Sequence, residues 1–476
     1  MKNVTKYQNK HVLVLGLGTS GVNAANLLLK LGAKVTVNDK QTPADLTVVT
    51  KLQAAGITVV TGSHPLELLD GVDLMVKNPG IPYTNVLVAA AVTQGIPVIT
   101  EPELAYEVSE APMYCVTGSN GKTTTTTMIT LMLNQGRKNG RAVAVGNIGV
   151  SASKVAQEVT PADTLVTEIS SFQLMGITDL HPHIAVLTNI YQAHTDWHQT
   201  HANYIKAKMR VTMNQTADDY FVVNWDVPEA REVANHTQAQ VIPFSRQALT
   251  TNGAYEKDGV LYYQDEAIMP AAEIKVPGTH NVENALAAIA VAKLCGKSNH
   301  DIIEVLKTFS GVRHRTQFVT TVNERKVYND SKATDIEATQ KALDGFTAPV
   351  VLLAGGLDRG FTFDRLVPDL QKHVRAMVVF GETADLMADA GQKAGIKEII
   401  HSQNAVTAVP EAYRLSQPGD IILLSPACAS WDQWPTFEVR GDRFIEAVEQ
   451  LKAQVEVAKW ELLYLVVELG ATSTQH

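Results

Sequence analysis

The fold of this chain is decided by one stretch, Thr117-Gly118-Ser119-Asn120-Gly121-Lys122-Thr123-Thr124. The apolar run from Met113 to Thr117 predicts a strand before it, and a helical pattern begins at Lys122. A glycine-rich turn in this context directs backbone N–H groups at phosphate, with a lysine as point charge and a threonine hydroxyl for magnesium. The strict P-loop pattern is absent, because Val116 stands where its first glycine belongs. We predict an ATP-binding turn, with a chance match in an unrelated loop as the less favoured alternative.

A second glycine-rich turn lies nearer the N-terminus, at Gly16-Leu17-Gly18-Thr19-Ser20-Gly21, with Asp39 after the following strand. This spacing is typical of NAD sites, where the acid binds a ribose hydroxyl. Any nucleotide diphosphate satisfies the same geometry, and so does a tight turn without a ligand. The motif alone does not choose among the three. The segment Asn78-Pro79-Gly80-Ile81-Pro82 is at least as easily explained as a purely structural turn as it is as part of a binding site.

Polar residues follow two strands of the middle region. Glu168 ends the apolar strand that starts at Thr164, a position suited to a magnesium ligand of an ATP site. His194 follows the next strand and could be a metal ligand or a substrate contact, although a lone loop histidine is usually neither. Lys208 lies on a helix predicted from Ala202 to Met213, and an unmodified ammonium cannot bind a cation.

Length and composition exclude several classes of protein. The chain has 476 residues with 45% hydrophobic and 19% charged residues, which predicts a globular protein of about three domains. A net charge of −9 argues against coating nucleic acid or an anionic membrane. Cys115, Cys295 and Cys428 are odd in number and widely spaced, so we expect a reducing cytoplasm. We expect no signal peptide and no membrane span, since the apolar run at Leu462 to Val467 is short.

Strands and helices alternate along the chain, which is the α/β pattern. We place one boundary in the proline-bounded connection Glu101 to Pro112, and another at Gly311 to Arg315. The predicted domains are residues 1–110, 111–311 and 312–452. The amphipathic segment 453–476 is unassigned: a terminal helix, a lineage-specific extension and a cloning remnant all stay open.

Together these segments resemble the Mur ligases of bacterial peptidoglycan synthesis, in order from about Gly16 to Leu451. The resemblance rests on these motifs: Thr117 to Thr123, Gly146-Asn-Ile-Gly149, Glu168-Ile-Ser-Ser-Phe-Gln-Leu174, Tyr204 with Lys208, Gly278-Thr-His-Asn281, His314-Arg315, Asn329-Asp-Ser-Lys-Ala-Thr334 and Ser425-Pro-Ala-Cys-Ala-Ser-Trp-Asp432. Within the family, the last two motifs and the missing Asp-Asn-Pro-Arg signature favour the branch that adds D-glutamate.

The resemblance implies a Rossmann-like N-terminal domain for the UDP-substrate, a central P-loop-type ATPase domain and a Rossmann-like C-terminal domain for the amino acid. It implies that ATP phosphorylates the carboxylate of UDP-N-acetylmuramoyl-L-alanine. The amine of D-glutamate then attacks the acyl phosphate through a tetrahedral intermediate. ATP and Mg²⁺, with two ions, are the implied cofactors, and NAD is not among them. The implied partners are these small molecules, with no nucleic acid and no membrane, and the expected state is a monomer.

The resemblance also implies roles for individual residues. The catalytic set is Lys122, Glu168, His194 and Lys208, and the metal ligands are Thr123, Glu168, His194 and Lys208 as a carbamate. The ATP contacts are Gly118, Ser119, Asn120, Gly121, Lys122, Thr123, Thr124, Asn281, Arg315 and Asp330. The UDP-substrate contacts are Gly18, Thr19, Ser20, Asp39, Asn78, Gly80, Asn147, Ser170 and Tyr204. The D-glutamate contacts are Lys332, Thr334, Arg359, Ser430 and Phe437.

Arg359 departs from the family, whose other members carry a lysine after Gly-Gly. Its guanidinium could bind the side-chain carboxylate of D-glutamate through two hydrogen bonds. We assign Trp431 and Trp434 to packing. The alternatives are a sibling ligase or folylpolyglutamate-synthetase-like enzyme with another acceptor, a nicotinamide oxidoreductase, and an ATP-binding module without catalysis.

Overall fold

The computed structural model describes residues 1–43, 46–191 and 195–472. Two compact units make up the chain, one of Met1–Ile274 with His280–Thr308 and one of Lys275–Thr279 with the residues from Phe309 onward. Two sheets lie in the first unit and one in the second. The predicted α/β class with three sheet-based parts is confirmed. The domain boundaries stay predictions.

The first sheet is parallel and has the strand order β3-β2-β1-β4-β5 in the described residues. Its strands are β1 (His11–Leu15), β2 (Lys34–Asp39), β3 (Thr58–Thr61), β4 (Leu74–Lys77) and β5 (Val98–Ile99). Its helices are α1 (Thr19–Lys30), α2 (Thr47–Ala54), α3 (Val86–Thr93) and α4 (Glu101–Val108). Strand β1 is buried along nearly its whole length, as expected of a central parallel strand covered on both faces.

The segment Glu101 to Pro112 is not the open connection that its prolines predict. Most of it forms α4, with Pro102 in the first turn, where the missing N–H and fixed φ of proline are tolerated. Glu103 is fully buried on this helix and accepts hydrogen bonds from Thr178, Asp179 and Leu180. Helix α4 is therefore tied to the segment 178–180, which precedes β9 of the second sheet.

The second sheet has the order β14-β13-β12-β11-β10-β9-β6-β8-β7 in the described residues. Its strands are β6 (Met113–Thr117), β7 (Ala142–Gly146), β8 (Thr164–Glu168), β9 (Ile184–Leu187), β10 (Tyr220–Asn224), β11 (Gln240–Ser245), β12 (Ala254–Lys257), β13 (Val260–Tyr263) and β14 (Glu266–Pro270). Its helices are α5 (Lys122–Asn134), α6 (Ala152–Val155), α7 (Ser171–Leu174), α8 (Thr195–His198), α9 (His201–Met209), α10 (Pro228–Ala234), α11 (Thr279–Leu294) and α12 (Asn299–Thr308).

Strands β7 to β12 of this sheet are parallel, whereas β13 and β14 are antiparallel additions at one edge. Strand β6 lies between β8 and β9. The residues that follow these three strands therefore meet at one edge of the sheet.

The sheet of the second unit has the order β15-β16-β20-β17-β18-β19 in the described residues, with β15 antiparallel. Its strands are β15 (Gln317–Val322), β16 (Arg325–Asn329), β17 (Val350–Gly355), β18 (Val374–Phe380), β19 (Glu398–His401) and β20 (Ile421–Leu424). Its helices are α13 (Ile336–Asp344), α14 (Val367–His373), α15 (Ala384–Lys393), α16 (Ala408–Leu415) and α17 (Phe437–Thr472). Residues 453–472 of the unassigned segment continue α17 as helix.

The apolar core of the first unit is continuous across its two sheets. One cluster of buried side chains contains Val12 and Val14 of β1 together with Cys115 of β6 and Leu187 of β9. In the second unit, separate clusters cover the two faces of the sheet. Among the described residues, none of the helices combines the length and apolar character needed to cross a membrane.

Candidate active site

The turn at 117–124 joins β6 to α5 as the sequence predicts, and two of its positions require glycine. Gly118 has φ +150°, and a Cβ there would lie 1.9 Å from the hydroxyl oxygen of Thr188. Gly121 has φ +79°, and its Cβ would lie 2.2 Å from Oδ1 of Asn284. The end of β9 and the helix α11 therefore hold the turn tightly from two sides.

Lys122 opens helix α5, and its ammonium lies over its own turn. Its Nζ donates to the carbonyls of Gly118, at 2.9 Å, and Ser119, at 3.0 Å. The backbone N–H of Asn120 donates to Oδ1 of Asn189 at 2.9 Å. A cation and a helix N-terminus thus converge on one concave backbone segment, which is an arrangement suited to bind phosphate.

Glu168 ends β8 beside the turn at 117–124, which we call the phosphate turn, and is 2% exposed. Its Oε1 accepts a hydrogen bond from the side-chain amide of Asn147 at 2.8 Å. Its Oε2 is buried and has no hydrogen-bond partner among the described residues. Buried carboxylate oxygens are almost always satisfied in native proteins, so an unpaired one is suited to receive a metal ion.

Lys208 lies on α9 and is 2% exposed, and its Nζ donates to the carbonyl of Gly118 at 2.7 Å. Its Nζ also lies 4.6 Å from the centroid of the Tyr204 ring. Burial, followed by the nearby Lys122, lowers the pKa of Lys208 well below its ordinary value. The two lysines that sequence analysis selects thus both contact the phosphate turn. His194 lies outside the described residues.

Tyr204 contacts the phosphate turn, and Ser170 lies two residues after Glu168. The Tyr204 hydroxyl hydrogen-bonds the Ser119 hydroxyl at 2.9 Å, and burial raises its pKa. Ser170 caps α7 in a capping box with Gln173. Its hydroxyl therefore stabilises the helix start directly after Glu168.

The first glycine-rich turn is stabilised by Asp39. The carboxylate accepts N–H groups of Leu17, at 2.8 Å, and Gln41, at 2.9 Å. Asn78 packs against the same turn, since a Cβ at Gly16 would lie 2.8 Å from the Asn78 Cβ. The N–H of Gly80 donates to Oδ1 of Asn78 at 3.1 Å. The structure therefore brings together the predicted contacts of this region, which also include Gly18 before α1 and Thr19 and Ser20 in its first turn.

Asp330 of the second unit is fully buried after β16. Its oxygens accept the N–H of Thr316, at 2.9 Å, and the hydroxyl of Ser425, at 2.8 Å. Burial raises the pKa of this carboxyl to about 7. Arg315 precedes Thr316, so Asp330 supports the turn that carries this predicted nucleotide contact.

Another predicted nucleotide contact, Asn281, lies in the first unit. It is buried on α11, and its side-chain oxygen accepts a hydrogen bond from the side-chain amide of Asn284 at 3.2 Å.

Two of the predicted amino-acid contacts of the second unit, Lys332 and Arg359, are cations that lie over aromatic rings. The Nζ of Lys332 lies 5.7 Å from the Phe437 ring centroid, and the Arg359 guanidinium lies 5.5 Å from that of Trp431. Ser430 is buried, and its hydroxyl has no partner among the described residues. Thr334 is half-buried.

The assignment of Trp431 to packing is wrong, because 66% of this residue is exposed. Trp434 is partly buried.

Sequence reasoning misses several residues around the phosphate turn. Asn189 and Asn284 hold the turn, and their only sequence signal is a polar residue at a strand end or near a helix start. A cavity of about 450 Å³ opens beyond β9 and β10 and is lined in part by Tyr191, Asn224, Asp226 and Glu283. Lys77, which is also buried, carries no motif at all.

Three family models match the chain in succession. They are described as the Mur ligase MurD-like N-terminal domain at residues 10–100, the Mur ligase middle domain at 116–292 and the Mur ligase glutamate ligase domain at 314–428. Among the relatives is a UDP-N-acetylmuramoylalanine–D-glutamate ligase from Ligilactobacillus salivarius, 68% identical over 96% of this chain and all of the relative. The enzyme of the same name from Lactiplantibacillus plantarum is 61% identical, also over 96% of this chain and all of the relative.

Solved structures of more distant proteins share the fold. The UDP-N-acetylmuramate–alanine ligase of Thermotoga maritima superposes with a TM-score of 0.57 at 19% identity, covering 93% of this chain and 100% of that one. The MurF ligase of Thermotoga maritima, solved in complex with ADP, gives a TM-score of 0.54 at 15% identity, covering 95% and 97%.

Proposed function

We propose a function from one premise: the chain belongs to the Mur ligase family, and it is a ligase. Its reaction joins the amine of D-glutamate to the carboxylate of UDP-N-acetylmuramoyl-L-alanine, with ATP as the phosphate donor, in the synthesis of peptidoglycan precursors. The observation that carries this proposal is the match along almost the whole chain to D-glutamate ligases, at 68% and 61% identity. The geometry of the phosphate turn supports it.

The need for ATP follows from the lack of a good leaving group in a carboxylate. A carboxylate does not react with an amine until one oxygen becomes a leaving group, so ATP transfers its γ-phosphoryl group to it. The amine then adds to the acyl phosphate, and the tetrahedral intermediate releases inorganic phosphate and leaves an amide. Such a reaction requires positioning and charge neutralisation rather than an enzyme nucleophile.

Residues of the phosphate turn meet that requirement. Gly118 to Thr124 form the turn that binds ATP, and Lys122 with the N-terminus of α5 neutralises and orients the transferred phosphate. Asn281, Arg315 and Asp330 complete the proposed contacts to ATP. A site for Mg²⁺ is supported by the unpaired Oε2 of Glu168.

The donor set for magnesium consists of oxygen ligands from Thr123 and Glu168, with His194 and the carbamate of Lys208 added for a second ion. When bound, Mg²⁺ neutralises phosphate charge. The low pKa of Lys208 supports the carbamate, because only a neutral amine combines with carbon dioxide.

The remaining proposed contacts bind either the UDP-substrate or D-glutamate. The proposed UDP-substrate site consists of Gly18, Thr19, Ser20, Asp39, Asn78, Gly80, Asn147, Ser170 and Tyr204. The proposed D-glutamate site consists of Lys332, Thr334, Arg359, Ser430 and Phe437. We place the reaction in the cytoplasm, carried out by a monomer whose partners are these small molecules.

One assay tests the proposal. The protein is mixed with Mg²⁺, ATP and UDP-N-acetylmuramoyl-L-alanine, and phosphate release is followed after addition of D-glutamate, L-glutamate, L-alanine or a diamino acid. We expect release that depends on both the UDP-substrate and D-glutamate. Release with another acceptor alone would assign a sibling reaction, and ATP binding without release would refute catalysis.

A further inference from the structure

Lys77 is a buried cation that the proposed mechanism does not use. It ends β4 with 1% of its surface exposed, and no carboxylate of the described residues lies within 4 Å of its Nζ. Burial lowers its pKa to about 8. A buried ammonium without an opposite charge destabilises a fold unless other groups solvate it. The groups that surround Lys77 therefore indicate the structural role of its charge.

Backbone oxygens of a single turn solvate the ammonium. The Nζ donates to the carbonyls of Ile81 at 2.9 Å, Pro79 at 3.2 Å and Asn78 at 3.4 Å. Three carbonyls directed at one point fix the path of the turn at 78–81. This turn contains Asn78 and Gly80, which belong to the proposed UDP-substrate site.

Two aromatic rings complete the shell around Lys77. Its Nζ lies 5.0 Å from the ring centroid of Tyr83 and 5.7 Å from that of Trp197, both within the range of cation–π attraction. The Tyr83 hydroxyl donates to the carbonyl of Met175 at 3.0 Å. Trp197 packs edge-on against Phe172 with the ring centroids 4.8 Å apart. Lys77 thus connects its own turn to the segments around α7 and α8.

The two connected segments adjoin the proposed reaction centre. Helix α7 begins at Ser171, three residues after Glu168. Trp197 on α8 comes three residues after His194 in the sequence. His198 stacks on Phe172 at 5.4 Å and hydrogen-bonds the Ser171 hydroxyl at 2.9 Å, which ties α8 to α7.

From this arrangement we infer that Lys77 is a positioning residue for the ligase reaction. It fixes the turn that holds the UDP end of the substrate at a set distance from the segments that flank the reaction centre. The inference rests on the proposed function. An uncharged side chain of similar length could fill the space but would remove a hydrogen-bond donor from three carbonyls of the turn, of which only that of Asn78 keeps another, the N–H of Ile81. The turn would then be free to shift, and small displacements of a bound substrate reduce rates strongly.

The test compares Lys77→Met and Lys77→Arg with Lys10→Met as the matched control. Lys10 directly precedes β1, and its Nζ pairs on the surface with Asp73, the residue before β4, at 2.9 Å. We expect Lys77→Met to reduce kcat/KM for UDP-N-acetylmuramoyl-L-alanine by roughly tenfold to a hundredfold. The KM for ATP should stay within about twofold and the unfolding temperature near that of the wild type, because a costly buried charge leaves with the hydrogen bonds. Lys77→Arg should retain more activity than Lys77→Met, and Lys10→Met should match the wild type.

A double-mutant cycle with Trp197→Leu makes the test sharper. If the two residues act as one unit, the double variant should lose little more activity than either single variant. Independent losses that multiply would overturn the inference. So would unimpaired kcat/KM in Lys77→Met, or a loss shared equally by all three substrates and accompanied by a lower unfolding temperature.

The wild type is assayed first, which separates the two hypotheses. A wild type without D-glutamate-dependent turnover refutes the proposed function, and the role of Lys77 is refuted with it. An active wild type together with an unimpaired Lys77→Met refutes the role of Lys77 alone.

Discussion

At the residue scale, burial changes the chemistry of Lys208 more than its sequence context suggests. Its ammonium is 2% exposed, donates to the Gly118 carbonyl and has a lowered pKa. Sequence alone gives only a lysine on a helix, where solvent exposure is the ordinary expectation. The neutral amine that burial favours is the form that a carbamate requires.

The first prediction concerns this lysine. Lys208→Ala should reduce kcat by more than about a hundredfold, because an oxygen ligand of the proposed metal site is removed. Millimolar acetate or formate should partly restore turnover by supplying a carboxylate. Lys206→Ala is the control, since Lys206 is exposed on the same helix and should be neutral. Wild-type turnover in Lys208→Ala would show that Lys208 is only a structural residue.

The second prediction concerns the pH dependence of stability through Asp330. Burial raises its folded-state pKa from 3.8 to about 7. Its stabilising contribution is therefore complete below pH 3.8 and is lost as pH rises through about 7. Asp330→Asn keeps the side-chain shape and cannot ionise. The variant should gain stability over the wild type as pH rises from about 4 to 7, by about 4 kcal/mol at most.

Chemical denaturation between pH 4.5 and pH 8 measures this difference for the second unit. Asp364→Asn is the control, because hydrogen bonds from Lys393 and Thr362 lower the pKa of the exposed Asp364 carboxyl. This carboxyl titrates below the measured pH range, so the stability difference of Asp364→Asn should not change between pH 4.5 and pH 8. A stability difference for Asp330→Asn that does not change with pH would contradict the buried, titrating carboxyl.

At the element scale, the phosphate turn is the part that sequence predicts best. Strand β6 and the start of α5 agree with the prediction residue by residue, since glycines, a lysine and an apolar run are all local signals. The helix predicted from Ala202 to Met213 instead covers 201–209 and ends in a short 3-10 turn.

Elements stabilised by distant contacts are predicted poorly. Helix α4 carries a proline in its first turn, and its buried Glu101 and Glu103 accept hydrogen bonds from residues 50 and 75 positions away in the sequence. Lys77 and Asn284 matter through neighbours that no local pattern reveals. Conversely, the Asp258-Gly259 turn between β12 and β13, with both residues at positive φ, is a hairpin signal that sequence reading overlooked.

The third prediction tests the shape of the phosphate turn. Gly121→Ala would place a Cβ 2.2 Å from Oδ1 of Asn284 at a φ of +79°. Strain of this kind costs about 1–3 kcal/mol, so we expect the KM for ATP to rise roughly tenfold or more. Gly296→Ala, beyond the other end of α11, has a φ of +72° with no atom within 4 Å of its Cβ. Equal KM values for ATP in the two variants would contradict the proposed fit.

At the scale of the whole molecule, three sheets follow one another along the chain, and the first two share one apolar core. The composition supports only the class and the approximate number of domains. The hydrogen bonds that connect Glu103 of α4 to the segment 178–180, and the division into two compact units, depend on packing that composition does not encode. The segment 453–472 extends α17, which its amphipathic pattern made one of three alternatives.

The central claim is that this chain activates the carboxylate of UDP-N-acetylmuramoyl-L-alanine with ATP and transfers it to D-glutamate. The most direct test supplies this substrate with ¹⁸O at both oxygens of that carboxylate and analyses both products by mass spectrometry. The account predicts one ¹⁸O atom in each inorganic phosphate released, together with an amide product that contains D-glutamate. Phosphate without ¹⁸O, or no product with D-glutamate, would contradict it.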